Sequence, residues 1–234
     1  MTALKFVLLI IGGYLLGCFS SAKFLSHLKK DDITKHGSGN PGTMNMLRTY
    51  GFKFGALTLL MDALKGAIPS LVGFFMFGGT SGGNVAYIGL FVGGFSAILG
   101  HIFPVFSKFK GGKGVACIVG MFAVAEPLWA FCVLLGCFLY LLIFKYGVLA
   151  SFIFITVLTI VEAYRFRGDI IICLILFGVF CCIWFMHRQN FFRLLIGKEN
   201  KVNIFKRKKK TQETKPTKQE RKEIKEENKI KEIG

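Results

Sequence analysis

Long apolar runs, each closed by charged or turn residues, fill the first 200 positions of the chain. Tyr87–Phe106 and Ile170–Met186 hold no acidic or basic residue apart from His101. A bilayer core takes roughly 20 apolar residues per spanning helix. The pattern predicts seven helices, near 4–25, 54–77, 85–106, 115–125, 128–144, 148–164 and 170–187. A Gly-rich turn at 78–84 separates the second from the third. Glu126-Pro127 breaks the fourth from the fifth, because proline cannot continue a helix it interrupts. Lys145-Tyr146 and Arg165–Asp169 end the next two. The fourth is too short to span unaided and is expected to tilt or to stop within the protein. The first run carries only Lys5 as a basic flank and no clear cleavage site, so it reads as a membrane helix and not as a removed leader. The expected fold class is all-α, a polytopic membrane protein with about seven transmembrane helices.

Composition agrees and charge adds direction. Hydrophobic residues make up 53% of the 234 residues, and the formal net charge is +17. Lys201–Gly234 holds 13 of the 30 basic and 6 of the 13 acidic residues. Two parts follow: a membrane-embedded domain over 1–200 and a basic tail over 201–234. From 206 onward aromatics vanish and Lys and Glu dominate, which predicts a disordered tail. Its run Lys206–Lys210 favours an anionic leaflet by about 1 kcal/mol per basic residue. Membrane lipid, not nucleic acid, is therefore the expected basic-surface partner. Lys29, Lys30, Lys35, Arg48 and Lys53 follow the first helix, and Lys108, Lys110 and Lys113 follow the third. With the tail, they place one face in the cytoplasm, the N-terminus outside and the C-terminus inside. Arg165 and Arg167 then fall outside, against the rule. The seven cysteines sit in apolar runs without zinc-type spacing, and read as small buried hydrophobes. No metal and no cofactor is expected.

Three polar segments interrupt this apolar chain. Gly37–Arg48 (GSGNPGTMNMLR) is glycine-rich, and its backbone N–H groups can form an anion-binding nest. Ser38, Asn40 and Asn45 add neutral hydrogen-bonding groups, and Arg48 can grip a phosphate with two parallel N–H groups. The embedded Gly37-x-Gly39-x-x-Gly42 is not a dinucleotide fingerprint, since no strand precedes it. Gly100–Gly114 (GHIFPVFSKFKGGKG) sets Lys110 and Lys113 around Gly111-Gly112, just before a helix start, a combination suited to phosphate. It lacks the glycine and the Ser/Thr of a Walker A loop, having Ser107 and Gly114 there. His187–Glu199 (HRQNFFRLLIGKE), if helical, puts His187 and Asn190 on one face. Asp62 and Lys65 lie three residues apart inside a membrane helix, either as a functional pair or as a structural one. His27-x-x-x-x-Asp32 matches a His-Asp spacing used by other acyltransferases, without a partner motif.

Together GSGNPGTMNMLR, DALKG, GHIFPVFSKFKGGKGVA and HRQNFFRLLIGKE, in this order, resemble the bacterial membrane family of acyl-phosphate:glycerol-3-phosphate acyltransferases over about positions 1–200. The resemblance implies transfer of an acyl group from acyl phosphate to the 1-hydroxyl of sn-glycerol 3-phosphate. The products are 1-acyl-glycerol 3-phosphate and phosphate, the first acylation of phospholipid synthesis, made at the bacterial cytoplasmic membrane. It also implies coupling to an enzyme that makes acyl phosphate. By the same resemblance Ser38, Arg48, Lys113 and His187 hold glycerol 3-phosphate. Asn40, Gly42, Gly111, Gly112 and Asn190 line the acyl-phosphate pocket. From their residue types and loops alone, Asn45 and Lys110 are also expected to bind substrate. The chemistry fits: both substrates carry phosphate, and an acyl phosphate is already activated, so no protein nucleophile is required. Two departures stand out. Thr43 replaces the family's usual alanine, and Val148 stands where the family tends to have a serine. A transporter of a phosphorylated metabolite is the alternative. It would show internal repeats and midplane polar groups, whereas here no repeat is seen and the polar groups cluster at one face. A non-catalytic scaffold would leave the three polar segments unexplained.

Overall fold

The computed structural model describes residues 1–202; the tail expected from 206 onward lies outside them. The described chain is helical throughout: α1 (Thr2–Cys18), α2 (Ser21–His27), α3 (Thr43–Tyr50), α4 (Phe52–Met76), α5 (Gly83–Ile102), α6 (Val115–Ala125), α7 (Pro127–Phe144), α8 (Gly147–Arg165) and α9 (Ile170–Leu195). Six stretches are long and apolar enough to cross a membrane: Thr2–His27, Phe52–Met76, Gly83–Ser107, Pro127–Phe144, Gly147–Arg165 and Ile170–Leu195. The seventh expected helix is α6. Its eleven residues rise only about 16 Å, roughly half a hydrocarbon core, and it is sheathed by protein, with Cys117, Ile118, Met121 and Phe122 fully buried.

Three differences from the sequence pattern have identifiable causes. The first predicted helix is broken: Phe19 is extended, and the Ser20 hydroxyl caps α2 by accepting from the Lys23 N–H at 3.4 Å. Helix α3 forms where only a loop was expected. It is short and amphipathic, buries Asn45, Met46 and Thr49, and ends at Gly51, whose φ of 88° no β-carbon tolerates well. Helix α9 runs eight residues past the predicted end at 187, because nothing breaks it before Gly197 at φ 68°. The chain also stays packed beyond the expected domain boundary at 200: Val202 is buried and its N–H donates to the Lys145 carbonyl at 2.8 Å.

Small residues let the helices touch backbone to backbone. A β-carbon at Gly66 would meet the Cys117 carbonyl, and one at Gly120 the Ala63 carbonyl, so α4 and α6 cross in direct contact. Gly73 of α4 and Gly89 of α5 face each other in the same way, and Gly17 of α1 lies on Ala97 of α5. These contacts replace the hydrophobic drive that lipid removes.

The two ends of the bundle differ. At one end Lys5 Nζ reaches the Met76 carbonyl (3.1 Å), and Arg165 joins Glu126, Glu162 and the Tyr87 hydroxyl. This accounts for the misplaced arginine: Arg165 is the counter-ion of Glu162, which is fully buried and has no hydrogen bond among the described residues. Arg165→Ala strands that carboxylate. We expect a loss of about 3 kcal/mol, read as a lower thermal midpoint in detergent, because breaking one side of a buried pair leaves an uncompensated charge. The combined Arg165→Leu/Glu162→Leu variant recovers the midpoint if this account holds. Activity is unchanged in both, since the polar segments lie at the other end.

Candidate active site

All three polar segments converge at that other end, around an open cleft of about 700 Å³. The first segment is built by side chains that bond its backbone. Asp31 accepts from His36 Nε2 and from the Tyr50 hydroxyl, both at 2.8 Å, and these bonds hold its carboxyl down at about 2. Asp32 accepts from the Thr34 N–H and hydroxyl, which gives it a local capping role instead of an acyltransferase His-Asp pair with His27. The Asn45 amide donates to the Ile33 and His36 carbonyls (3.2 and 2.9 Å) and accepts from the Ser38 N–H (3.2 Å). Asn45 therefore shapes the loop with its amide while lining the cleft beside it. Gly37, at φ 57°, is needed because a β-carbon there would strike the Asn45 side chain. The loop so held presents Ser38, Asn40 and Gly42 to the cleft. Arg48, on α3, gives one N–H to the Asn200 carbonyl at 2.9 Å, while its buried Nε and the Thr43 hydroxyl have no partner among the described residues. Buried donors left unpartnered are costly, and an anion in the cleft would satisfy them.

The second segment differs from expectation in one respect. The Gly111 and Gly112 N–H groups are not a free nest: they donate to the Ile102 and His101 carbonyls at 3.1 and 3.0 Å. Gly111 lines the cleft, whereas Gly112 is buried behind it against the His101 ring. The free backbone donors at the cleft are instead the first N–H groups of α6, at Val115 and Ala116, which line it and have no intrahelical acceptor, an arrangement suited to an anion. Lys113 bonds Asn190 Oδ1. Burial brings its ammonium down to about 8, with Arg193 and Arg48 adding to the shift and Glu199 opposing it. Lys110 lines the cleft from an exposed position.

The third segment is the last two turns of α9. His187 Nδ1 lies 3.0 Å from the Ile183 carbonyl and its ring packs edge-on against Phe152. A carbonyl only accepts, so Nδ1 carries hydrogen and Nε2 is the atom left for the cleft. Asn190 donates to Glu199 Oε1 (2.8 Å), and Arg193 Nε to Glu199 Oε2 (3.1 Å). Glu199 thus orients the Asn190 amide, with its oxygen toward Lys113. Nothing in the sequence of the third segment marks Glu199 for this role. The same holds for Lys23, which donates to the Ser107 hydroxyl at 2.9 Å, and for Ser151, one turn along α8 from Val148; all of these line the cleft. Ser151 and Val148 lie about 100 residues from the first segment, and no local pattern signals such a meeting.

The family model for glycerol-3-phosphate acyltransferase matches residues 7–197. The chain belongs to the glycerol-3-phosphate acyltransferase family. The curated glycerol-3-phosphate acyltransferase of Thermoanaerobacter pseudethanolicus is 35% identical over 197 residues, 84% of this chain and 95% of that protein. Two crystal structures of PlsY (YgiH), an integral membrane glycerol 3-phosphate acyltransferase, superpose with a TM-score of 0.73. One is a glycerol 3-phosphate form (33% identical) and the other a lysophosphatidic acid form (31%); each covers 85% of this chain and 96% of its own. The acyltransferase described here is accordingly an integral, multi-pass membrane enzyme. Its three polar segments, remote in sequence, form a single site. The Gly37-x-Gly39-x-x-Gly42 match has no strand before it, none being present among the described residues.

Proposed function

We propose that this acyltransferase moves an acyl group from acyl phosphate to the 1-hydroxyl of sn-glycerol 3-phosphate. Acylation of glycerol 3-phosphate is the reaction of its family; the acyl-phosphate donor, the hydroxyl attacked and the residue roles are the proposal. One observation carries it: a single cleft is lined by six cationic side chains, Lys23, Arg48, Lys110, Lys113, Arg188 and Arg193, and by two acidic ones, Asp62 and Glu199. Two phosphates in one cleft need such an excess of positive charge.

In this reading Arg48, Lys113 and Ser38 hold the phosphate of glycerol 3-phosphate. His187 Nε2, neutral, accepts from a glycerol hydroxyl and orients it. Asn40, Gly42, Gly111 and the start of α6 face the donor phosphate, and Asn190 holds Lys113 between the two substrates. The hydroxyl oxygen attacks the acyl carbon and the bond from that carbon to the phosphate oxygen breaks. The hydroxyl proton leaves on the departing phosphate, which takes one up near neutral pH, so no protein base is consumed. Positioning and charge neutralisation supply the rate. The basic loops around the cleft favour a cytoplasmic side for this face in a bacterial cell, where an acyl-phosphate-forming enzyme would supply the donor.

Purified protein in detergent, given labelled glycerol 3-phosphate, tests the donor. Product with acyl phosphate and none with acyl-CoA is expected. Product with acyl-CoA alone would overturn the donor assignment, and no product from a folded protein would favour a transporter. The pH profile gives an independent check. Lys113 is charged below about 8 and loses its proton above it. The KM for glycerol 3-phosphate is therefore expected to rise as pH passes 8, while Lys113→Arg, charged throughout, shows no such rise.

A further inference from the structure

One buried polar group near the cleft is not used by this mechanism. Asp62 and Lys65 of α4 and His101 of α5 are almost wholly buried, and Asp62 and His101 touch the cleft. Lys65 Nζ reaches three acceptors: the Phe19 carbonyl at 2.6 Å, Asp62 Oδ1 at 2.8 Å and His101 Nδ1 at 3.1 Å. Asp62 Oδ1 also accepts from the Ser21 hydroxyl at 2.7 Å. An ammonium has three N–H donors, so all three are engaged and none is left to grip a substrate. The Phe19 carbonyl is free to accept because the first helix is broken there. The break in α1–α2, whose sequence shows no proline, thus has a partner deep in the bundle.

The same contacts fix the state of His101. An ammonium can only donate, so Nδ1 must accept, and the ring is neutral with its hydrogen on Nε2. This is the opposite tautomer to that of His187. The Nε2 edge of the ring lies against Gly112: a β-carbon there would collide with it. The backbone of the same residue takes the Gly112 N–H, and its neighbour Ile102 takes that of Gly111. His101 therefore seats the glycine pair directly ahead of Lys113 by both its ring and its carbonyl.

We propose that Asp62, Lys65 and His101 form a positioning network, in which the ion pair locks His101 and His101 sets the Gly111-Gly112 turn that aims Lys113 into the cleft. The inference deepens the functional reading and rests on it only for the effect on turnover. A buried ion pair adds little stability compared with apolar residues of the same size, which leaves positioning as its use here. None of the three acts on the reacting atoms; each acts through the next.

The test uses the full chain in detergent. Lys65→Met alone would strand Asp62, so the pair is removed together as Asp62→Asn/Lys65→Met, and nitrogen NMR of ¹⁵N-histidine-labelled protein reads the tautomer, with His101→Asn used to assign its signals. In the wild type His101 is expected to be protonated at Nε2 and bare at Nδ1 near neutral pH. In the double variant that single tautomer is lost and kcat/KM falls about 10–100-fold, while adding His101→Asn to it costs little more, because the three act as one unit. A wild-type His101 protonated at Nδ1, or a double variant with wild-type kcat/KM, would overturn the network. A wild type that transfers no acyl group would count against the functional reading; the tautomer, measured without turnover, would still decide the network.

Discussion

Lys113→Ala is expected to lower kcat/KM by about a thousandfold, at the upper end of what one preorganised charge at a reacting phosphate contributes. Three features make this the largest effect among the cleft residues. Lys113 is the one lysine of the second segment that is held: its ammonium bonds Asn190, whose amide is fixed in turn by Glu199. It is also half-buried, which brings its ammonium down to about 8, so its field acts on a phosphate with less screening than that of an exposed lysine. And it stands near Arg48 and Arg193, where the proposed reading puts the phosphate of glycerol 3-phosphate. Lys110, by contrast, is exposed, and Lys110→Ala is expected to cost no more than about tenfold, mainly in KM. Steady-state kinetics on both variants, with folding checked by thermal unfolding, measures the difference. Equal losses for the two lysines would show that the segment supplies only general positive charge.

The long elements were legible because membrane helices announce themselves by length and apolarity. Six of the seven predicted helices match crossing-length stretches, and α6 falls at its predicted 115–125. What escaped was decided by tertiary contact. The break at Phe19 has no proline or glycine beside it; it is stabilised by Ser20 and by Lys65, which lies 46 residues away. Helix α3 was hidden by its polar sequence, since its buried face includes Asn45 and Thr49. In the site, the segments were legible as blocks and their residue roles were less so. Glycines that suggested a nest at Gly111 and Gly112 turned out to be required for packing against His101, and Asn45 was found serving its own loop. Glycine and asparagine are ambiguous in this way: the same residues suit an anion site and a tight backbone, and only the partners distinguish them.

Gly120→Val is expected to have the second large effect, through the scaffold and not through the cleft. The ideal β-carbon at Gly120 would lie on the Ala63 carbonyl, with the Ala67 nitrogen at 2.9 Å, so backbone and not a flexible side chain would have to move. On the facing helix, a β-carbon at Gly66 would meet the Cys117 carbonyl and lie 3.0 Å from the Cys117 α-carbon. Overpacking a tight contact costs about 1–3 kcal/mol, and valine adds two methyl groups to the overlap, so a loss at the top of that range is expected. Because α6 begins two residues after Lys113, pushing it off α4 also misplaces the ammonium. Lower extraction yield, a lower thermal midpoint and reduced kcat are expected together. The controls are Gly12→Ala and Gly136→Ala, in α1 and α7, where a β-carbon meets nothing within 4 Å. These should be neutral or should stabilise by up to about 1 kcal/mol, since alanine is the better helix former. If Gly120→Val behaved like those controls, α4 and α6 would not be in backbone contact, and the short helix would need some other reason to be held within the bundle.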